Sequence, residues 1–163
     1  MELAMPEKQQ TLLQVAREYC QLIEQTDSGE QQIFTALIKL LPRLHAAIVA
    51  YADEQEVDCN VPEADLDARF ELFSRLKQML GDRDGYWLEF DVVSDEQCKS
   101  GSLADDLTDI YCELKAGLNA LEENARPTDQ TIENWRCGYK VHWGKHLIDA
   151  EKHLFELRSR NRL

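Results

Sequence analysis

The chain has 163 residues, 44 % of them hydrophobic and 30 % charged, and its formal net charge at pH 7 is −13. This length and composition predict one soluble globular domain over residues 1–163, large enough to bury a core. The acidic balance argues against nucleic acid and anionic membrane surfaces as partners, and it favours a basic protein partner.

Apolar residues recur at intervals near 3.6 along most of the sequence, which is typical of amphipathic helices. The first predicted helix extends from about Pro6 to Gln25. The second apolar pattern contains Pro42, which removes one backbone hydrogen bond and clashes with the carbonyl four residues before it. We therefore expect a kink at Pro42 or a break into two short helices. The longest uninterrupted apolar stretch, AAIVAYA, is too short to span a bilayer.

The third predicted helix spans about Glu63 to Leu80, and a long loop follows it from Gly81 to Gly101. The residues of this helix that we expect to face the core are Leu66, Phe70, Phe73, Leu76 and Leu80. Loops of such length are either functional or contain structure of their own. The weak alternation in YWLEFDV predicts a short extended piece within this loop.

Ser102 is predicted to begin the fourth helix, because its hydroxyl can cap the helix and Asp105 stands three residues later. The fifth predicted helix is the longest and runs from Thr128 or Asp129 to about Arg158. Its apolar stripe consists of Ile132, Trp135, Tyr139, Trp143, Leu147, Ala150, Leu154 and Leu157. Together the patterns predict an all-α, single-domain bundle of five to six helices, with a long loop between the third and fourth.

The cysteine pattern predicts free thiols. The five cysteines are Cys20, Cys59, Cys98, Cys112 and Cys137. Their number is odd and no two form a C-x-x-C, which argues against a disulfide framework or a thiolate zinc site and fits a reducing compartment. The N-terminal MELAMPEKQQ also lacks the apolar segment of a signal peptide. We therefore expect a cytoplasmic protein.

Three of the four histidines lie in the segment HWGKHLIDAEKH, near the end of the chain. In an α-helix, at about 100° per residue, His142, His146, Asp149 and His153 fall within one narrow stripe. Two histidines four residues apart can bind one metal ion, and Asp149 is a candidate third ligand. The fourth predicted helix offers further carboxylates from across the bundle, namely Asp106, Asp109 and Glu113.

A purely structural role for the same histidines remains open. The segment lacks the Glu of H-E-x-x-H and the E-x-x-H of di-iron bundles, and Gly144 favours close helix packing rather than metal entry. In this interpretation the ring nitrogens contact solvent, a carboxylate or a backbone carbonyl, with no ion between them. No motif predicts a catalytic residue or a cofactor, since the sequence has no G-x-S-x-G and no glycine-rich phosphate loop.

Two segments, SLADDLTDIYCELKAGL and HWGKHLIDAEKHL, resemble a bacterial family known as domain of unknown function 5063. The matching positions are Leu103, Ala104, Asp105, Asp109, Ile110, Tyr111, Leu114, Lys115, Trp143, Gly144 and His153. LLP at Leu40 to Pro42 and MLG at Met79 to Gly81 also fit the family pattern. The resemblance implies an all-helical cytoplasmic protein, and it implies no particular activity.

Two functions follow from these patterns. The first is a non-enzymatic acidic protein that acts by contact, as an adaptor or as an immunity- or antitoxin-like inhibitor of a basic protein. The alternative is a metal-binding or enzymatic helical bundle that uses His142, His146 and Asp149.

Overall fold

The structure is a computed structural model, and it describes residues 4–26, 30–55, 59, 65–88 and 100–163. More than half of the chain is helical, and its α-helices are α1 (Glu7–Glu24), α2 (Glu30–Val49), α3 (Leu66–Leu80), α4 (Leu103–Glu122), α5 (Thr128–Gly138) and α6 (Gly144–Ser159). Two short strands, β1 (Gly85–Trp87) and β2 (Ser100–Ser102), pair antiparallel. The predicted all-α bundle is therefore confirmed.

Helix α4 lies at the centre of the bundle, where it packs against α1, α3, α5 and α6, while α2 packs against α1 and α6. The largest fully buried side chains are those of Trp135 and Trp143. Each indole N–H donates to a backbone oxygen, that of Trp135 to Glu113 at 3.1 Å and that of Trp143 to Trp135 at 3.0 Å. Because a buried indole needs such an acceptor, the first bond fixes the rotation of α5 against α4, and the second holds Trp143 against α5.

Gly117 allows the indole of Trp135 to contact the backbone of α4, since a Cβ at this position would overlap the ring. At an exposed helix position Gly→Ala would stabilise by about 1 kcal/mol. Here we expect Gly117→Ala to lower the free energy of unfolding by about 1–3 kcal/mol, because overpacking outweighs helix propensity. Urea denaturation measures this loss. An alanine variant as stable as the wild type would show that Trp135 moves aside without cost.

Helix α2 runs through Pro42 as one element, so the break that the sequence also allowed does not occur. Pro42 is exposed, whereas Leu41 and Leu44 beside it are fully buried. A proline inside a helix costs about 3 kcal/mol, and burial of two leucines gains at least as much, at about 1.5–3 kcal/mol each. By length and composition alone, the stretch Gln31–Val49 is long and apolar enough to cross a membrane. Core helices can be equally long and apolar, and α2 buries its apolar face in the bundle.

Helix α3 begins at Leu66, and the first residues of the predicted helix lie outside the described residues. Leu76 and Leu80 are buried as expected. The prediction that Leu66 and Phe70 face the core is wrong, because their exposed fractions are 74 % and 66 %. At this end of α3, Arg69 contacts α4 by donating to two of its carboxylates.

The predicted long loop between α3 and α4 contains a 3-10 turn at Gly81–Arg83 and the two strands. Tyr86 lies in β1, opposite Gly101, so the extended piece predicted around Tyr86 is present. Phe90, which the same prediction included, lies outside the described residues. Gly101 permits this pairing, since a Cβ there would overlap the ring of Tyr86.

Helix α4 begins as the sequence predicts. Ser102 is its N-cap, and the hydroxyl oxygen accepts a hydrogen bond from the backbone N–H of Asp105 at 3.2 Å. The buried carboxylate of Asp84 strengthens this end of the helix, because it accepts hydrogen bonds from the Ser102 hydroxyl and from the N–H of Ala104 at 2.7 Å. Such caps satisfy N–H groups that a helix start leaves unpaired.

The predicted fifth helix is divided by a π-helical turn at Tyr139–Trp143, which we call the π-turn. Its closing bond is donated by the N–H of Gly144 to the carbonyl of Tyr139, five residues earlier. A Cβ on Gly144 would overlap that carbonyl oxygen, so glycine permits the bond. Turns of this type are frequent at functional sites, and this one includes His142.

Cys59 and Cys137 form a disulfide with Cα atoms 5.5 Å apart, a separation that suits such a bond. The prediction of free thiols is therefore wrong for this pair. Its partners are 78 residues apart, and disulfide connectivity cannot be deduced from spacing alone. Cys20 and Cys112 are free, and burial raises the pKa of the Cys20 thiol to about 12, which keeps it protonated.

Candidate metal centre

Acidic side chains of α4 face the histidines that the π-turn and α6 present. Asp106, Asp109 and Glu113 lie at intervals of three and four residues, so they share one face of α4. His142 belongs to the π-turn and His146 to the first turn of α6, and their ring centroids are 5.1 Å apart. The structure thus brings together both predicted histidines and the carboxylates that the sequence placed across the bundle.

The carboxylate of Asp109 is shared by the two imidazole rings. Its Oδ2 atom lies 3.1 Å from Nε2 of His146 and 3.7 Å from Nε2 of His142. One donor atom from each of these three residues lies within 4.8 Å of the other two. Zinc–ligand bonds of 2.0–2.2 Å place neighbouring donors about 3–3.5 Å apart. Small side-chain rotations would therefore close the three donors onto one ion.

Each histidine has its other ring nitrogen on a carboxylate. Nδ1 of His146 lies 2.7 Å from Oδ1 of Asp106, and Nδ1 of His142 lies 3.2 Å from Oε1 of Glu113. With a proton on Nδ1, each ring donates to its carboxylate and leaves the Nε2 lone pair free on the side of Asp109. This is the carboxylate–histidine arrangement by which proteins orient a metal-binding imidazole, and here it occurs twice.

The carboxylates are themselves held by hydrogen bonds. Arg69 donates from Nε to Oδ1 of Asp109 at 2.7 Å and from a terminal nitrogen to Oδ1 of Asp105 at 2.7 Å. The Tyr86 hydroxyl donates to Oδ2 of Asp106 at 2.5 Å. Asp109 and Asp106 therefore each have one oxygen occupied and direct the other at a histidine. The sequence reasoning missed Arg69 and Tyr86, whose contacts depend on tertiary packing.

Residues 4–160 match the family described as domain of unknown function (DUF5063). The chain belongs to this family. A solved structure with the same fold is the crystal structure of protein BF1032 from Bacteroides fragilis, with a TM-score of 0.74 and 17 % identity over 93 % of this chain and 92 % of that chain. At this identity the similarity concerns the fold alone. None of the curated proteins that were compared matches the chain.

In this DUF5063 chain three groups of the centre, Asp106, Glu113 and His146, have raised pKa values. Burial raises the pKa of Asp106 to about 6, although its hydrogen bonds with His146 and Tyr86 oppose the rise. Burial alone would lower the pKa of His146, but the hydrogen bond to Asp106 and the charge of Asp109 raise it overall. Burial also raises the pKa of Glu113. A metal ion would therefore compete with protons for these groups.

The residue between the two rings is Asp109 and not Asp149, the third ligand that the sequence suggested. Asp149 is partly buried, and its charge acts on Tyr86 and Asp106. Among the described residues of this DUF5063 chain, two groups of side chains could hold an ion: Asp109 with His142 and His146, and Asp105 with Asp106 and His146. Asp149 belongs to neither group. Both Asp149 and His146 extend from α6, whereas Asp109 comes from the facing helix and can approach the rings from the other side.

His153, the last histidine of the segment, lies outside the centre. It is buried, its Nε2 lies 2.6 Å from the carbonyl oxygen of Arg83, and its ring packs on Tyr86 with centroids 4.7 Å apart. His153 therefore supports Tyr86, which donates a hydrogen bond to Asp106. In this DUF5063 member His153 therefore has a structural role, while His142 and His146 face carboxylates.

Proposed function

We propose that the protein binds one divalent transition-metal ion, with Nε2 of His142, Nε2 of His146 and Oδ2 of Asp109 as ligands. The observation that carries the proposal is that both imidazoles have Nδ1 on a carboxylate and Nε2 beside the same oxygen of Asp109. Two imidazoles and one carboxylate form a ligand set that suits Zn²⁺ and Fe²⁺.

The exposure of the ligands supports an open coordination position. The His142 side chain is 44 % exposed, whereas that of Asp109 is buried and that of His146 is half-buried. An ion at this place would have protein on one side and solvent on the other. Three protein ligands with a fourth position open to water are typical of catalytic rather than structural zinc, and a metal-activated water requires that position.

The proposal predicts stoichiometric metal binding by protein purified without a histidine tag and stripped with a chelator. We expect one Zn²⁺ or Co²⁺ per chain. Free metal at 100 times its dissociation constant would raise the free energy of unfolding by about 2.7 kcal/mol, which raises the melting temperature by several degrees. Titration with a chromophoric competitor and thermal melts measure both effects.

Matched variants locate the ion. His146→Gln and Asp109→Asn should abolish binding, because each removes a ligand. His45→Gln is the control, because His45 is also half-buried with Nδ1 on a carboxylate, that of Glu151 at 2.8 Å, yet lies outside the centre. Metal far below one per chain, with melts unchanged by zinc or chelator, would contradict the proposal. The histidines would then serve hydrogen bonding alone.

A second candidate is contact with a basic protein partner in the cytoplasm, as an adaptor or inhibitor. It is supported by the net charge of −13, since such a charge speeds association with cationic partners. Association of this kind weakens as salt rises. Metal-free protein that binds one basic partner in low salt, releases it in high salt and binds no zinc would favour this candidate over the metal centre.

A further inference from the structure

We propose that the Cys59–Cys137 disulfide regulates the metal centre, so that the oxidised chain binds the ion more tightly than the reduced chain. This inference rests on the proposed function. The disulfide is attached at the C-terminal end of α5, where Cys137 precedes Gly138. The π-turn that presents His142 begins at the next residue. The disulfide thus constrains the backbone two residues before the start of the π-turn, which contains the proposed metal ligand His142.

A close backbone contact connects this point to the ligand. A Cβ on Gly138 would lie 2.8 Å from Oε2 of Glu113, so that carboxylate occupies the space that a side chain at Gly138 would fill. The other oxygen of Glu113 lies 3.2 Å from Nδ1 of His142. We therefore expect a change in the position of Gly138 to alter the position of the Glu113 carboxylate and, through it, the orientation of the His142 ring.

Arg136 also holds the end of α5 in place, in addition to the disulfide. The guanidinium of Arg136 donates to the backbone oxygens of Tyr51, Glu54 and Gln55 at 3.3, 3.1 and 3.3 Å. These bonds attach the end of α5 to the segment after α2, the same segment that leads to Cys59. Because they remain after the disulfide is cleaved, reduction should loosen the end of α5 without releasing it. The change in metal affinity is therefore graded rather than complete.

The redox step needs a thiol reductant. A thiolate of the reductant attacks the sulfur of Cys59, which is the exposed partner, and the bond to Cys137 breaks. A second reductant thiol then attacks the mixed disulfide and releases Cys59. Two electrons and two protons pass to the chain, two thiols form, and the reductant is oxidised to its own disulfide.

Linkage gives the expected size of the effect. Coupling between two sites typically changes affinity by about 5–150-fold, and the reciprocal effect has the same size. Because Arg136 keeps α5 attached, we expect about fivefold weaker zinc binding by the reduced chain. Bound zinc should in turn make the disulfide about fivefold harder to reduce.

The experiment compares zinc affinity in two double variants by competition with a chromophoric chelator. Cys59→Ser/Cys137→Ser lacks the disulfide, and Cys20→Ala/Cys112→Ala retains it as the control. We expect the first to bind about fivefold more weakly than the wild type and the second to be unchanged. Cobalt spectra without a sulfur-to-metal charge-transfer band would show that no thiolate joins the site. In a second measurement, the wild type is equilibrated in a fixed glutathione buffer. The fraction of the chain that carries the disulfide is then compared with and without a set concentration of free zinc.

The outcomes separate the two proposals. Equal affinities in the wild type and the variant without the disulfide would overturn the regulation and leave the metal centre standing. If neither the wild type nor any variant binds zinc, both the metal centre and its regulation are overturned. If the variant without the disulfide does not fold, the glutathione measurement on the wild type tests the proposal instead. A disulfide fraction that does not change when zinc is added would overturn the regulation. Failure of Cys59 and Cys137 to cross-link under oxidant overturns it as well.

Discussion

Trp143→Ala is expected to lower the free energy of unfolding by about 3–5 kcal/mol. The side chain is fully buried, its N–H donates to the carbonyl of Trp135, and its ring packs edge-on against Tyr139 with centroids 5.1 Å apart. Truncation would leave a cavity and remove one of the two donors of the Trp135 carbonyl, which would keep only the backbone N–H of Tyr139. Domains of ordinary stability unfold at a cost of about 5–15 kcal/mol, so this loss is a large share of the total.

Urea denaturation of the Trp143 variant measures the loss, and Trp87→Ala is its control. Trp87 is exposed in β1, so its replacement should change the free energy of unfolding by about 0.5 kcal/mol or less. A loss under about 1 kcal/mol for Trp143→Ala would mean that the ring does not occupy the core. Since Trp143 is the last residue of the π-turn, a milder loss would also contradict the position of the π-turn and of His142 within it.

Arg69→Met is expected to cost about 3 kcal/mol, near the lower end of the range for removing one partner of a buried ion pair. Arg69 is 26 % exposed, whereas the Asp109 carboxylate to which it donates is buried. Without the guanidinium, Oδ1 of the buried Asp109 would lose its donor, while Oδ2 would keep the imidazoles of His146 and His142 as its neighbours. The double variant Arg69→Met/Asp109→Asn should recover most of the loss, because the unpaired charge is then gone.

The control for Arg69 is Arg43→Met. Arg43 donates to both oxygens of Glu18 at 2.7 and 3.1 Å, but this pair lies at the surface. Exposed ion pairs contribute about 0–1 kcal/mol, so the control should change the free energy of unfolding little. Equal losses for Arg43→Met and Arg69→Met, or no recovery in the double variant, would show that burial of Asp109 does not determine the effect.

The helices follow from the sequence because apolar spacing and capping are local. Ser102 and Asp105 predict the start of α4 correctly for this reason. The apolar spacing also contains a local signal of the π-turn, which the prediction of one continuous α-helix did not take into account. From Trp135 to Leu147 the apolar stripe advances by three successive steps of four residues. In an α-helix each such step drifts by about 40°, and the wider π-turn absorbs the drift.

The candidate site was predictable only in part. The pairing of His142 and His146 with carboxylates of α4 follows from helix periodicity, since all five side chains lie on predictable faces. Which carboxylate lies between the rings depends on the rotation of α6 after the π-turn, and spacing within one helix favours Asp149 instead. The contact of Arg69 and the disulfide depend on the packing of distant segments, which periodicity does not encode.

The pairing of β1 with β2 bears on how the length of the chain can vary. Trp87 lies opposite Ser100, and the carboxylate of Asp84 bonds Ser102 at the start of α4. The connection between the two strands therefore enters and leaves the bundle at one place. The entropic cost of closing a loop rises by only about 0.6 kcal/mol for each doubling of its length. Relatives with longer or shorter connections here, or an inserted peptide tag, would keep the same helical bundle at little cost in stability.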